Sequence, residues 1–429
     1  MEKKPGLNKL AEGTPDPPLG SGRDAISSRQ MAANVKTPFY KPRHIAPEVF
    51  FEKAREIFDL GWFSNAGPKV IELENEIAKA HDVAHCIAVC NATIGLQMAL
   101  SGLDITGEVI TTPFTFVATA HAIKWEQLSP VFCDINPHTL TLDPAKIREN
   151  ITPKTSAILG VHVFGQPCDV DAIKEIAEEF KLKVIYDAAH CFMTSYRGKM
   201  IGGLGDAEVL SFHATKIFQT FEGGAILTNN SKLAAKLRLL KNFGFTGMDR
   251  VGHLGINAKM NEVSAAYGLS LLPYMPETIA RCKIVQLKYR ELLSGLNGVA
   301  FFETGPDVNS NGQYVVTFIN AADFGLSRDQ LWAYLWSKGV ETRRYFYPGA
   351  HMCEPYRSHT PWFKSLLGVT NKTCSSVLCL PSYFGLGDED IESVSSLIRE
   401  ASEKREEIAR WYEEFSRSGH WLFASGLQG

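Results

Sequence analysis

The sequence predicts an α/β protein, with a mostly parallel sheet in a large domain at 38–275 and a smaller α+β domain at 276–429. Three observations carry this reading. Seven short apolar, β-branched runs recur between residues 86 and 229, each ending in a polar or Gly-rich turn. Amphipathic stretches lie between most of them, which implies strands buried on both faces and covered by helices. After about residue 275 the alternation gives way to one long helical stretch, a strand and a helical tail.

In chain order, residues 1–22 hold four Pro and four Gly, and no aromatic occurs before Phe39. Such a segment buries too little apolar surface to offset its ordering entropy, so 1–37 reads as a poorly ordered arm. Order is expected to begin near Pro38-Phe39-Tyr40. The strand candidates are CIAVC (86–90), EVITT (108–112), PVFCD (130–134), SAILGV (156–161), LKVIYD (182–187), AEVLSF (207–212) and GAILTN (224–229). Among the helices, AIKEIAEEFK (172–181) places apolar residues at 172, 173, 176, 177 and 180 on one face. Further on, 279–296 reads as a long helix and QYVVTFI (313–319) as a strand. Residues 390–415 read as a helix with Val394, Leu397, Ala401, Ile408, Trp411 and Phe415 on one side. There is no internal repeat.

Composition excludes several classes of protein. The net charge of −3 argues against nucleic-acid binding by bulk positive charge. No apolar run approaches the roughly 18 residues that a membrane span needs, and no secretory signal is visible. The nine Cys are scattered, form no C-x-x-C pair and show no zinc spacing. They read as reduced, mostly buried thiols of a cytoplasmic protein. A dinucleotide fingerprint is missing, because Gly202-Gly203-Leu204-Gly205 does not follow a strand at the required spacing.

Four segments could carry chemistry. Cys90-Asn91-Ala92-Thr93-Ile94 joins a strand to a helix, where free amides and the helix dipole suit a phosphate; simple N-capping by Asn91 or Thr93 is the plainer alternative. Pro113 to Thr119 is a strand-to-helix turn holding Phe114 and Phe116, which could equally be core. Tyr186-Asp187-Ala188-Ala189-His190 puts a carboxylate and small residues at a strand end, where ligands of open α/β sheets gather; Asp187 capping the following turn is the plainer alternative. Ser211-Phe212-His213-Ala214-Thr215-Lys216 places a lysine just beyond a buried strand, a candidate for a lowered amine pKa and imine chemistry; a surface lysine is the plainer alternative. Taken together, a phosphate cup, an aromatic platform, a carboxylate and a lysine are what pyridoxal phosphate requires of a protein.

The chain resembles the DegT/DnrJ/EryC1/StrS family of pyridoxal-phosphate-dependent sugar aminotransferases, of fold type I. The resemblance runs from about 38 to 415. It rests on GPKVIELENEIA (67–78), NATIGLQMAL (91–100), PFTFVATAHAI (113–123), DAAHCF (187–192), SFHATKIFQTFEGGAI (211–226), GINAKMNEVSAAYGL (255–269) and RRYFYPGAHMCEPY (343–356). It implies a seven-stranded sheet and a homodimer with shared active sites. It also implies that Lys216 condenses with the coenzyme aldehyde, that Asp187 pairs with the ring nitrogen, that His190 sits beside the ring hydroxyl and that Phe116 stacks on the ring. Thr93 and Ile94 would give amides to the phosphate, Ser211 a hydroxyl, and Asn257 would reach it from the neighbouring subunit. Lys259 stands where relatives often carry Arg, and is expected near a substrate carboxylate or pyrophosphate.

Some relatives carry His in place of the lysine and dehydrate a sugar, so retention of Lys216 favours transamination. The motifs look most like those of enzymes that aminate C4 of dTDP-4-keto-6-deoxyglucose with L-glutamate. A C3-aminotransferase, or one acting on a UDP- or GDP-linked sugar, is the alternative, and a non-catalytic regulator is a more distant one. Substrate contacts are expected from Trp62, Phe63 and Asn65 in GWFSN, and from Arg344, Tyr345 and His351 in the late motif, with one of the adjacent Arg343 and Arg344 serving.

Overall fold

A computed structural model describes residues 35–358 and 366–417 of the chain. The expected arm therefore lies, up to residue 34, outside the described residues. Residues 35–37 do not belong to a loose arm. Thr37 is buried and bridges Val340 in parallel, the amides of Lys36 and Thr37 donate to the Gly339 carbonyl, and the Glu341 amide donates to the Thr37 carbonyl. Phe39 then packs on Tyr314 and edge-on to Tyr345. Composition around this segment gave no hint of pairing, because its partner lies about 300 residues away.

Two helices open the described chain, α1 (Pro47–Leu60) and α2 (Pro68–Ala80), both with Pro in the first turn, where the missing N–H costs nothing. The large sheet follows. Its strands are β1 (His85–Val89), β2 (Glu108–Thr111), β3 (Ser129–Phe132), β4 (Thr155–Val161), β5 (Lys183–Asp187), β6 (Ala207–Ser211) and β7 (Gly224–Thr228). All seven apolar runs form this one sheet, in the order β1-β7-β6-β5-β4-β2-β3. Strands β6, β5, β4, β2 and β3 pair in parallel, while β7 pairs antiparallel with both β6 and β1.

This register fixes the site. Because β7 alone runs backward, the carboxyl ends of the other six strands and the amino end of β7 lie along one edge. Asn91, Phe116, Asp187, Ser211 and Gly224 are thereby gathered from a stretch of more than a hundred residues. The connecting helices include α3 (Ala92–Gly102), α4 (Ala118–Trp125), α5 (Pro144–Asn150) and α6 (Val170–Phe180). Apolar cores fill the space between sheet and helices, one built on Ile87, Val109, Leu159, Ile185 and Ile226, another on Ile110, Ile158, Ile173 and Tyr186.

Helices α7 (Ser231–Leu240) and α8 (Glu262–Leu271) complete this unit. Helix α9 (Met275–Leu292) is shared by two cores. Met275 and Cys282 pack beneath the large sheet, whereas Val285 and Tyr289 belong to the second core. That core lies under an antiparallel three-stranded sheet, β8 (Val299–Phe301), β9 (Val315–Ile319) and β10 (Val377–Leu380). It is completed by α10 (Arg328–Ser337), α11 (Asp388–Glu403) and α12 (Arg405–Arg417). The tail is thus two helices and not one. The break at Lys404 falls in the polar run Ser402–Glu407 and leaves Ile408, Trp411 and Tyr412 against the core.

Candidate active site

A cavity of about 440 Å³ opens at the carboxyl edge of the large sheet, closed from above by the second unit. Asn91, Thr93, Phe116, Asp187, His190, Ser211 and Lys216 line it from below, and Arg343, Arg344, Tyr345 and Tyr347 line it from the other side.

At one end lies the start of α3. The Asn91 side chain caps the helix, accepting from the Ile94 amide at 2.9 Å, and the Asn91 carbonyl accepts from Gly95. The amides of Ala92 and Thr93 have no acceptor among the described residues, and both residues line the cavity. A helix start with free amides attracts an anion. Gly224 makes this end possible: a Cβ there would stand 2.8 Å from both the Ala92 nitrogen and the Leu210 carbonyl oxygen. Only glycine lets β7 pass so close to the helix start.

Asp187 ends β5 and is 6% exposed. Its Oδ2 accepts from the Thr119 hydroxyl at 2.7 Å and its Oδ1 from the Ala189 amide at 3.1 Å. Burial pushes its pKa up, and the Thr119 and Ala189 hydrogen bonds and the Lys216 charge offset part of that rise. Lys216 is half-buried, and burial brings its amine down to about 8 against the opposing attraction of Asp187. Its backbone is fixed from outside the motif, by the Tyr40 hydroxyl on its carbonyl and by Gln313, which bonds the Thr215 carbonyl and the Ile217 amide.

The rings of His190, Phe164 and Phe346 lie nearly parallel in a triangle, with His190 6.0 and 5.9 Å from the two phenyl centres. Its Nδ1 accepts from the Phe164 amide at 3.3 Å, so its hydrogen is on Nε2. Burial first, and then the Lys216 charge, hold its pKa well below the usual value, so the ring is neutral. Phe114 and Phe116 have opposite fates: Phe114 is core, while Phe116 is 56% exposed and turns its ring to the cavity.

Several expected residues lie elsewhere. The Ile94 amide, expected at a phosphate, is committed to the Asn91 cap, which leaves the amides of Ala92 and Thr93 open at this helix start. His351 is 3% exposed, bonded through Nε2 to Asn371 at 2.9 Å and does not line the cavity, which corrects its expected contact with substrate. Trp62, Phe63 and Asn65 are also off the cavity lining. Trp62 and Phe63 are half exposed, and the Trp62 Nε1 donates to the Asn65 carbonyl at 2.8 Å. Asn257 is exposed, and Lys259 holds its ammonium 4.2 Å from the centre of the Phe243 ring. Both lie on a segment that bridges Val89 and Asn242, at the edge of β1 and outside the cavity of their own chain. Arg344 donates to Asp329 at 2.8 Å and lies over Trp332, and Arg343 pairs with Glu341 at 2.7 Å.

These residues fit pyridoxal phosphate. The free amides sit at the phosphate end, each Asp187 oxygen retains acceptor capacity for a ring N–H, Phe116 offers an uncovered face, and Lys216 is an amine already partly unprotonated near neutrality. Among the described residues no cluster of His, Cys, Asp or Glu could hold a metal ion.

The dTDP-4-amino-4,6-dideoxy-D-glucose transaminase of Escherichia coli is 40% identical over 350 residues, which are 81% of this chain and 94% of that protein. The GDP-perosamine synthase of Caulobacter vibrioides is 36% identical over 346 residues, 79% and 91% of the two chains. The crystal structure of DesI in the presence of its TDP-sugar product is similar with a TM-score of 0.84 at 40% identity, covering 90% of this chain and all of that one. The DegT/DnrJ/EryC1/StrS aminotransferase family model matches residues 45–399, and this chain belongs to that pyridoxal-phosphate-dependent family.

Proposed function

We propose that the enzyme moves an amino group from L-glutamate to C4 of dTDP-4-dehydro-6-deoxy-D-glucose, giving dTDP-4-amino-4,6-dideoxy-D-glucose and 2-oxoglutarate. The observation that carries this is the meeting of Lys216, Asp187, Phe116 and free helix-start amides in one cavity. The chain that builds it is 40% identical to the dTDP-4-amino-4,6-dideoxy-D-glucose transaminase of Escherichia coli.

Bound pyridoxal phosphate supplies an aldehyde that takes up the amino group and a ring that stores the electron pair left when a Cα proton departs. Lys216 would hold the coenzyme through its Nζ, the amine that an incoming amino donor would free. Its amine, which burial already lowers in the chain itself, would then be placed to move a proton at Nζ. Asp187 accepts from the ring N–H and keeps that nitrogen protonated. Neutral His190 donates from Nε2 to the ring oxygen. Phe116 covers one ring face, and the amides of Ala92 and Thr93 with the Ser211 hydroxyl hold the phosphate.

Arg344 and Tyr345, on the opposite wall, meet the sugar nucleotide. Asn257 of the partner subunit reaches the phosphate, and Lys259 on the same segment brings an ammonium with less geometric control than a guanidinium fork. The large exposed side chains Phe51, Phe58, Trp62, Phe63, Met248 and Leu254 support a homodimer. On this reading Trp62 and Phe63 serve the subunit interface. All nine Cys are free thiols and no helix among the described residues is long and apolar enough to cross a membrane, which supports a cytoplasmic enzyme.

The test is a panel of keto-sugar nucleotides with glutamate, following 2-oxoglutarate and locating the new amine by NMR. Conversion of dTDP-4-keto-6-deoxyglucose at C4 is expected. Reaction of a GDP-linked sugar alone would favour the second reading, which the 36% identity to a GDP-perosamine synthase supports. Reaction of a 3-keto isomer alone would overturn C4 chemistry.

A further inference from the structure

We infer that Thr115 and Thr119 form a hydroxyl relay that orients the Asp187 carboxylate toward the ring nitrogen of the coenzyme and keeps it an acceptor, which makes Thr119 a positioning residue. This rests on the reading of Asp187 as the partner of that nitrogen.

The relay follows from counting protons. Thr119 is fully buried and its Oγ1 donates to Asp187 Oδ2 at 2.7 Å. A hydroxyl has one proton to give. The contact between Thr115 Oγ1 and Thr119 Oγ1, also 2.7 Å, must then run from Thr115 to Thr119. Both hydroxyl protons therefore point down the chain toward Asp187. A proton on Oδ2 would oppose this direction, so the relay favours the carboxylate over the acid. Oδ1, held by the Ala189 amide, keeps its remaining lone pair for the ring N–H. The charged or titratable groups that act on Asp187 are Lys216 and His162.

The same turn serves a second purpose. The Thr119 amide donates to the Phe116 carbonyl at 3.2 Å, so the residue that covers the ring and the residue that aims the carboxylate are tied within one turn. Nothing in the sequence pattern singles out Thr119, because its partner lies 68 residues away.

Thr119→Val removes the hydroxyl at nearly constant volume, and Thr119→Ser retains it. Thr115→Val breaks the relay at its outer end if Thr119→Val does not fold. A hydrogen bond to a charged group is worth enough to change rates and affinities by roughly ten- to a hundredfold. Thr119→Val is expected to weaken binding of pyridoxal phosphate to the apoprotein and to slow the glutamate half-reaction within that range. Thr115→Val should do so less, and Thr119→Ser should stay close to the parent. N1-methyl pyridoxal phosphate carries its ring charge permanently, so with it the half-reaction deficit of Thr119→Val should largely vanish. Parent-like affinity and rate in Thr119→Val, or a deficit equal with both coenzymes, overturns the relay. Asp187→Ala separates the two readings. If Asp187→Ala is rescued by the methylated coenzyme and Thr119→Val is not, only the relay fails. If neither is rescued, the Asp187 reading fails with it.

Discussion

Lys216 should capture the coenzyme with a pH dependence set by its buried amine. Only the unprotonated amine attacks an aldehyde. Burial brings the group down to about 8, and Asp187 pulls in the opposite direction. With that value, about a tenth of the amine is free at pH 7 and about nine-tenths at pH 9. The rate at which apoprotein takes up pyridoxal phosphate should therefore rise about tenfold over this interval and level off near its end. An ordinary lysine near 10.4 would rise about a hundredfold and still be climbing. Stopped-flow absorbance on mixing apoprotein with excess coenzyme reads the rate directly. Asp187→Asn removes the attraction that favours the ammonium, so its midpoint should move to lower pH. A rate that keeps climbing past pH 9 would show that the amine is solvated and that burial does not lower its pKa. A rate that is flat from pH 7 would show the opposite error.

Other substitutions test separate parts of the construction. Lys216→Ala should abolish turnover and remove the absorption of covalently held coenzyme; persistence of that band would refute the role of the lysine. Gly224→Ala forces a methyl against the Ala92 nitrogen and the Leu210 carbonyl, both backbone, and should cost about 1–3 kcal/mol in denaturant unfolding while weakening coenzyme affinity. Glu262, 1% exposed, accepts the amides of Gly67, Lys69 and Val70 and so caps α2 from the first turn of α8. Glu262→Gln should lower stability by about 1.5–3 kcal/mol, read as a drop in Tm.

The sheet was legible because its strands are continuous apolar runs, which a strand buried on both faces requires. Each of the seven runs ended within a few residues of its strand, from CIAVC at β1 to GAILTN at β7. The gathering of Asn91, Phe116, Asp187 and Ser211 in one cavity was legible for a related reason: residues following strands must lie along one edge. What was not legible depends on contacts between distant segments. Tyr40 on Lys216, Thr119 on Asp187 and Glu262 on α2 leave no local pattern. His351 illustrates the reverse failure. It belongs to a motif that faces the cavity at Arg343 to Ala350, but the short helix Ala350–Met352 turns its ring inward to Asn371. Membership of a motif located the segment, and the turn decided which side chains reached the cavity.

The position of Asn257 turns the proposed dimer into a quantitative test. Asn257 is exposed and outside the cavity of its own chain, whereas Lys216 lines that cavity. If each site combines Lys216 of one chain with Asn257 of the other, two defective variants can repair each other. In a mixed dimer of Lys216→Ala and Asn257→Ala chains, one site receives both defects and the other receives neither. Random exchange makes half of the dimers mixed, so about a quarter of all sites should be intact. Assayed at a coenzyme concentration where Asn257→Ala is largely empty, the dissociated and reassociated mixture should show activity that neither variant has alone. Sites built within single chains would give only the average of the two parents, and that result would remove the Asn257 assignment while leaving Lys216 and Asp187 untouched.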